Sequence, residues 1–117
     1  MGRLTTHVLD TAHGKPGDGV VVTLSRRSGD RYETIKAVTT NADGRTEAPL
    51  LDGDALRPGR YRIVFAAGDY FRRLRVALPD PPFVDEVVID FGVADAAADY
   101  HVPLLFSPWS YSTYRGS

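Results

Sequence analysis

An all-β sandwich of antiparallel strands is the fold this sequence predicts, and three observations carry that expectation. Short segments in which apolar and polar residues alternate recur along the chain, each bounded by turn residues. Helical periodicity is confined to one brief stretch. The length of 117 residues, with 43% apolar and 25% charged side chains, suits one soluble domain, residues 1–117, around one core.

The first strand is expected at residues 4–10 (LTTHVLD), closed by the loop TAHGKPGDG. Residues 19–27 follow, with Val20, Val22 and Leu24 on one face, and residues 32–39 come after a Ser-Gly-Asp turn. Asn41-Ala42-Asp43-Gly44 is a strong turn signal, and residues 45–48 read as a short strand beyond it. Residues 50–59 read as a polar loop. Residues 60–65 alternate cleanly, placing Tyr61, Ile63 and Phe65 together. The one helix is expected at residues 69–77, stopped by Pro79, Pro81 and Pro82. Residues 84–93 alternate again, with Val87, Ile89 and Phe91 facing together. A loop at 94–99 leads to a strand at 100–106, and Ser-Pro-Trp-Ser turns the chain into residues 111–117.

Side chains alternate across a strand, so facing follows from spacing. Tyr100, Val102, Leu104 and Phe106 form a uniformly large apolar row, which should be core. His101, Pro103 and Leu105 then point outward. In the first strand Thr6 and Val8 share one face, while Thr5, His7 and Leu9 share the other. In the last, Ser112 and Tyr114 alternate with Thr113 and Arg115. An outward row of Leu9, Pro103, Leu105 and Tyr114 is awkward in water, and suggests a surface covered by another subunit with histidines at the junction. A single strand histidine is more often filler than catalyst, so this pattern alone names no reaction. His13 reads as a solvated loop residue.

Several function classes fall away. Net charge is −1, from 14 basic and 15 acidic residues, so a nucleic-acid interface lacks its basic excess. Arg72, Arg73 and Arg75 read as a solvated face. With no cysteine, disulfides and thiolate chemistry are excluded. Three histidines could ligate zinc, but none has the spacing of a local ligand motif, so neither metal nor cofactor is expected. No nucleophile elbow, P-loop or His-Glu-x-x-His motif occurs. The opening MGRLTTHVLD lacks the apolar run of a signal peptide, and no stretch could span a bilayer; a cytoplasmic protein without membrane partners is expected.

Three separated blocks, LTTHVLD, NADGR and YHVPLLFSPWSYSTYRGS, the last of them closing in Tyr114-Arg115-Gly116-Ser117, together resemble the 5-hydroxyisourate hydrolases. The likeness runs from about Leu4 to the last residue; only residues 72–82 (RRLRVALPDPP) depart from the usual connection. The resemblance implies a transthyretin-like sandwich of two four-stranded antiparallel sheets with at most one short helix. It implies a homotetramer, a dimer of dimers with active sites in the channel between them. It also implies that His7, Arg45, His101 and Ser117 carry the reaction and that Tyr114, Arg115 and Gly116 bind the substrate, 5-hydroxyisourate.

The implied reaction is hydrolysis of a cyclic amide to 2-oxo-4-hydroxy-4-carboxy-5-ureidoimidazoline. Amide hydrolysis needs an activated water, stabilised charge on the carbonyl oxygen and a proton for the leaving nitrogen. Imidazoles titrate near neutrality, so His7 and His101 suit the water; the planar fork of Arg45 suits the oxygens. Ser117 would hydrogen-bond substrate or water. The alternative is a non-catalytic transthyretin-like module that binds a small ligand; a third reading is a purely structural sandwich.

Overall fold

The computed structural model, which describes residues 2–116, is built of strands with one short α-helix and a single 3-10 turn at Gly53–Ala55. The strands are β1 (Arg3–Thr5), β2 (Val8–Asp10), β3 (Lys15–Pro16), β4 (Val21–Ser28), β5 (Arg31–Thr39), β6 (Leu51–Asp52), β7 (Gly59–Ala66), β8 (Glu86–Val93), β9 (Tyr100–His101), β10 (Leu104–Phe106) and β11 (Tyr111–Thr113). Helix α1 spans Ala67–Arg73. One sheet has the order β5-β4-β7-β8 and is antiparallel throughout. The other consists of two hydrogen-bonded groups, β6-β1-β9 and β11-β10-β2-β3. Leu4 faces Tyr100, Thr5 faces His101 and Val8 faces Leu104, so both groups keep one register. In effect β1 and β2 are one strand, and β9 and β10 another, each interrupted once.

The sandwich of two sheets agrees with the sequence expectation, with one difference. The pairs β1/β9 and β2/β10 run parallel, inside a sheet expected to be antiparallel. These strands come from opposite ends of the chain, so no short turn dictates their direction.

The interruptions fall at residues 6–7 and 102–103. Thr6, buried, turns its hydroxyl to the Val102 carbonyl at 2.7 Å. On the other side, His101 and Gly116 exchange both backbone hydrogen bonds, at 3.3 and 2.7 Å. Hydrogen-bonding positions in an antiparallel ladder recur every second residue, which brings Pro103 opposite Tyr114. Proline has no N–H, so the ladder lapses there and resumes where Leu105 faces Ser112. The Pro103 carbonyl is taken by the Thr113 hydroxyl at 2.7 Å. Pro103 is therefore buried within the chain, while Leu9 and Leu105 are half-buried and Tyr114 is exposed.

The inward rows form the core. Tyr100, Val102, Leu104 and Phe106 are buried, as are Val20, Val22, Leu24, Tyr61, Ile63, Phe65, Val87 and Ile89 from the facing sheet. Each large side chain removed from water contributes roughly 1.5–3 kcal/mol. The helix caps one end, where Tyr70, Phe71 and Phe106 pack with ring centroids 5.1–5.3 Å apart.

Four local expectations are corrected. Residues 45–48 form no strand; they follow the turn as an irregular loop. Residues 50–59 are not simply a polar loop, because Leu50, Leu51 and Leu56 are buried and β6 pairs with β1. The helix starts and stops earlier than expected, and it stops because Arg75 takes a left-handed conformation (φ 60°). There Arg75 N–H bonds the Arg72 carbonyl and Val76 N–H the Phe71 carbonyl, which closes the helix before any proline is reached. Finally, Arg73 is not merely solvated: its guanidinium donates to the carbonyls of Asp18 and Gly19 and lies over the Tyr70 ring.

His13 is likewise more than a solvated loop residue. Its Nδ1 lies 2.6 Å from Asp10 Oδ2, and Tyr70 Oη donates to that same oxygen at 2.8 Å. The backbone N–H groups of Ala12 and His13 both donate to Asp10 Oδ1. Burial works against the Asp10 charge, but these donors outweigh it and hold its pKa below the usual 3.8. Burial first, then the bond to Asp10, pushes the Tyr70 phenol up well above its ordinary range. The carboxylate thus ties the loop after β2 to the helix.

Candidate active site

The turn at 41–44 and the interrupted strand pair bring the candidate residues together. Asn41 Oδ1 accepts from the N–H groups of Asp43 and Arg45, and Gly44 supplies the positive φ (75°) the turn requires. A Cβ at Gly44 would overlap the Val8 carbonyl, so only glycine allows the turn to lie against the strand. Two hydrogen bonds dock it there: Val8 N–H to the Gly44 carbonyl at 2.8 Å, and His7 Nε2 to the Asp43 carbonyl at 2.9 Å. Arg45 leaves this turn beside His7, and a cavity of about 150 Å³ lies between Thr5, Thr6, Arg45 and residues 46–49.

His101, in β9, is half-buried on the same outward face as His7. Its Nδ1 lies 2.8 Å from Thr5 Oγ1 on the neighbouring strand. Burial, then the Arg45 charge, then His7 lower its pKa from 6.5, which keeps the ring neutral at pH 7. Arg45 and His7 both lie near enough to His101 for their charge to disfavour its cation. Gly116 crosses close to the ring: a methyl there would come within 3.0 Å of His101 Cβ and Cδ2.

The remaining predicted site residues divide. Tyr114, exposed, lies on the outward side through its register with Pro103. Arg115 turns the opposite way. Its guanidinium lies 4.4 Å above the Tyr100 ring and Nη2 donates to the Asp99 carbonyl at 3.1 Å, so it does not reach the histidines. Ser117 lies outside the described residues. Among the described residues, no group of three or more His, Cys, Asp or Glu could hold a metal ion. No helix among them is long and apolar enough to cross a membrane.

Thr5 is the site residue the sequence reading did not single out. Alternation places it on the His7 face, but its partnership with His101 depends on the parallel register, which the sequence alone does not give. The arrangement supplies two imidazoles, one of them held neutral, and a guanidinium on one face. That set can move protons to and from a water and stabilise a developing oxyanion.

Comparison with known proteins gives this geometry its context. The 5-hydroxyisourate hydrolase of Ralstonia nicotianae is 62% identical over 117 residues, with both chains fully covered. The solved structure of (S)-allantoin synthase superimposes with a TM-score of 0.94 and 41% identity; it covers 99% of this chain and 44% of the longer one. Klebsiella pneumoniae 5-hydroxyisourate hydrolase aligns along the full length of both chains, with a TM-score of 0.82 and 36% identity. Residues 4–116 also match the HIUase/Transthyretin family as a whole, a span that takes in both histidines, Arg45 and all but the last residue of the closing tetrapeptide. The chain is a member of the HIUase/Transthyretin family.

Proposed function

We propose that this protein hydrolyses 5-hydroxyisourate, opening its cyclic amide to 2-oxo-4-hydroxy-4-carboxy-5-ureidoimidazoline in urate degradation. The observation that carries this reading is the meeting of His7, Arg45 and His101 on one face, in a chain so similar to named hydrolases. In this reading water attacks the amide carbonyl directly, and the two imidazoles orient it and take its proton. Arg45 holds the carbonyl oxygen as charge builds on it. The proton then passes to the leaving ring nitrogen. No cofactor or metal takes part. Tyr114 and Gly116 shape the pocket, Ser117 hydrogen-bonds substrate or water, and Arg115, stacked on Tyr100 and bonded to the Asp99 carbonyl, holds the closing segment against the sandwich.

We further propose a homotetramer, assembled as a dimer of dimers, acting in the cytoplasm as one domain. Support comes from the half-buried Leu9 and Leu105 beside the exposed Tyr114, a face that a second copy would cover.

The test is product analysis. Hydroxyisourate made in situ from urate is mixed with the purified chain and followed by NMR. The expected result is early appearance of the ring-opened carboxylate. A folded chain that binds a purine analogue yet leaves the spontaneous course unchanged would instead establish a binding module.

A further inference from the structure

We propose that Thr5 is a positioning residue that decides which nitrogen of His101 works, leaving Nε2 free and keeping the proton on Nδ1. The inference deepens the hydrolase reading and rests on it. Two flanks of the imidazole are occupied by neighbours. On one, Nδ1 meets Thr5 Oγ1 at 2.8 Å. On the other, Gly116 passes so close to Cδ2 that a methyl would stand at 3.0 Å. The edge bearing Nε2 and Cε1 is what remains. Turning the ring over would set a carbon against the Thr5 hydroxyl and forfeit the hydrogen bond.

The backbone holds both partners of this bond. Thr5 and His101 are directly paired in the β1/β9 register, and His101 is bridged on its other side to Gly116. Threonine is β-branched, so its χ1 is restricted and its hydroxyl is held in place. The adjacent Thr6 makes the contrast clear: it is buried and gives its hydroxyl to the Val102 carbonyl, a purely structural bond.

A hydroxyl is suited to this task because it can accept as well as donate. A neutral His101 that takes a proton at Nε2 must already carry one at Nδ1, and that N–H needs an acceptor. Thr5 Oγ1 supplies it. When Nε2 gains its proton, Nδ1–H still donates to the same oxygen, so no partner has to move during the step. The charged and titratable groups that act on the ring are Arg45, from the turn, and His7, from the neighbouring strand. Both disfavour the cation, so a neutral acceptor on Nδ1 is the group that supports the protonated ring.

The experiment compares wild type, Thr5→Val and Thr5→Ser as full chains. Long-range nitrogen–proton NMR of the histidine rings, at a pH above the His101 titration, reads the tautomer without any turnover. Wild type and Thr5→Ser are expected to show the proton on Nδ1; Thr5→Val is expected to move it to Nε2. Hydroxyisourate kinetics should show kcat falling about tenfold in Thr5→Val, the scale of one lost hydrogen bond, with KM within about twofold and serine restoring the rate. A wild-type proton on Nε2, or a valine variant with unchanged tautomer and kcat, would overturn the proposal. A wild type that never accelerates hydroxyisourate decay, but whose tautomer still follows residue 5, would reject the hydrolase reading and leave the Thr5–His101 hold standing.

Discussion

The Nε2 of His7 lies 2.9 Å from the carbonyl oxygen of Asp43. A carbonyl can only accept, so Nε2 carries the hydrogen, and in the neutral ring the lone pair belongs to Nδ1. His7 thus has one nitrogen braced by the turn and one available for chemistry.

Two amide replacements separate these roles. His7→Gln sets an amide nitrogen near the Nε2 position and keeps the donation to Asp43, whereas His7→Asn is too short to do so. If the ring handles a proton, both variants lose roughly 10²–10⁴-fold in kcat. Only the asparagine variant should also lose stability, about 0.5–1.5 kcal/mol for one hydrogen bond. Steady-state kinetics and urea denaturation check the pair. Full activity in His7→Gln would reduce His7 to a brace.

The lowered pKa of His101 fixes the direction of a pH effect. Burial, Arg45 and His7 all disfavour its cation, so the neutral ring persists as pH falls beneath 6.5, the ordinary histidine value. The acid limb of kcat/KM should therefore lie below that value. Arg45→Met removes one of the causes and should move the limb upward, even though the rate itself drops. The folded pKa lies below the unfolded one, so the unfolded chain binds more protons and stability falls as pH drops through this window. A limb unmoved by Arg45→Met would show that it reports another group.

Gly116→Ala tests the closeness of the last described residues to the site. Its methyl would meet His101 Cβ and Cδ2 at 3.0 Å. The expected outcome is a loss of turnover of about tenfold or more from a small displacement. The free energy of unfolding should change little, within about 0.5 kcal/mol, since the position lies outside the core. Unchanged kcat would mean that the ring yields without consequence.

Tyr70→Phe tests the buried carboxylate. Asp10 is 1% exposed and loses one of its donors in this variant. A hydrogen bond to a charged group is worth about 1.5–3 kcal/mol, which equilibrium denaturation at pH 7 would read as destabilisation. Because the folded Asp10 pKa lies below 3.8, its stabilisation is present above the unfolded value and disappears as pH falls through the folded one. Acid unfolding of the variant should begin at higher pH. A coincident acid transition would show that Asp10 is not the group lost.

Much of this architecture is legible from alternation alone. The row Tyr100, Val102, Leu104 and Phe106 is buried, and the opposite row carries His101, because period two survives wherever one face is core. Two-residue strands such as β3 and β6 are shorter than any detectable period. Parallel pairing of the first and penultimate strands is a long-range choice that leaves no local mark. It is that pairing which brings Thr5 to His101. The helix end depends on the positive φ of Arg75, at a position where a glycine would have given the signal. Arg115 is instructive in another way. Alternation already set it on the side of Thr113, away from Tyr114, and that is where it stacks on Tyr100; the family resemblance had counted it among the substrate-binding residues. His13 pairs with Asp10 only three residues away, but the tie of that carboxylate to the helix runs through Tyr70, far along the chain, and leaves no local mark.

The measurement that bears most directly on the central claim is the decay of hydroxyisourate, generated from urate, with wild-type chain and with His101→Asn. Marked acceleration by the wild type, reduced by about 10²–10⁴-fold in the variant while the fold remains intact, is the predicted result. A folded wild type that leaves the decay at its spontaneous rate, or a His101→Asn variant as fast as the wild type, would contradict it.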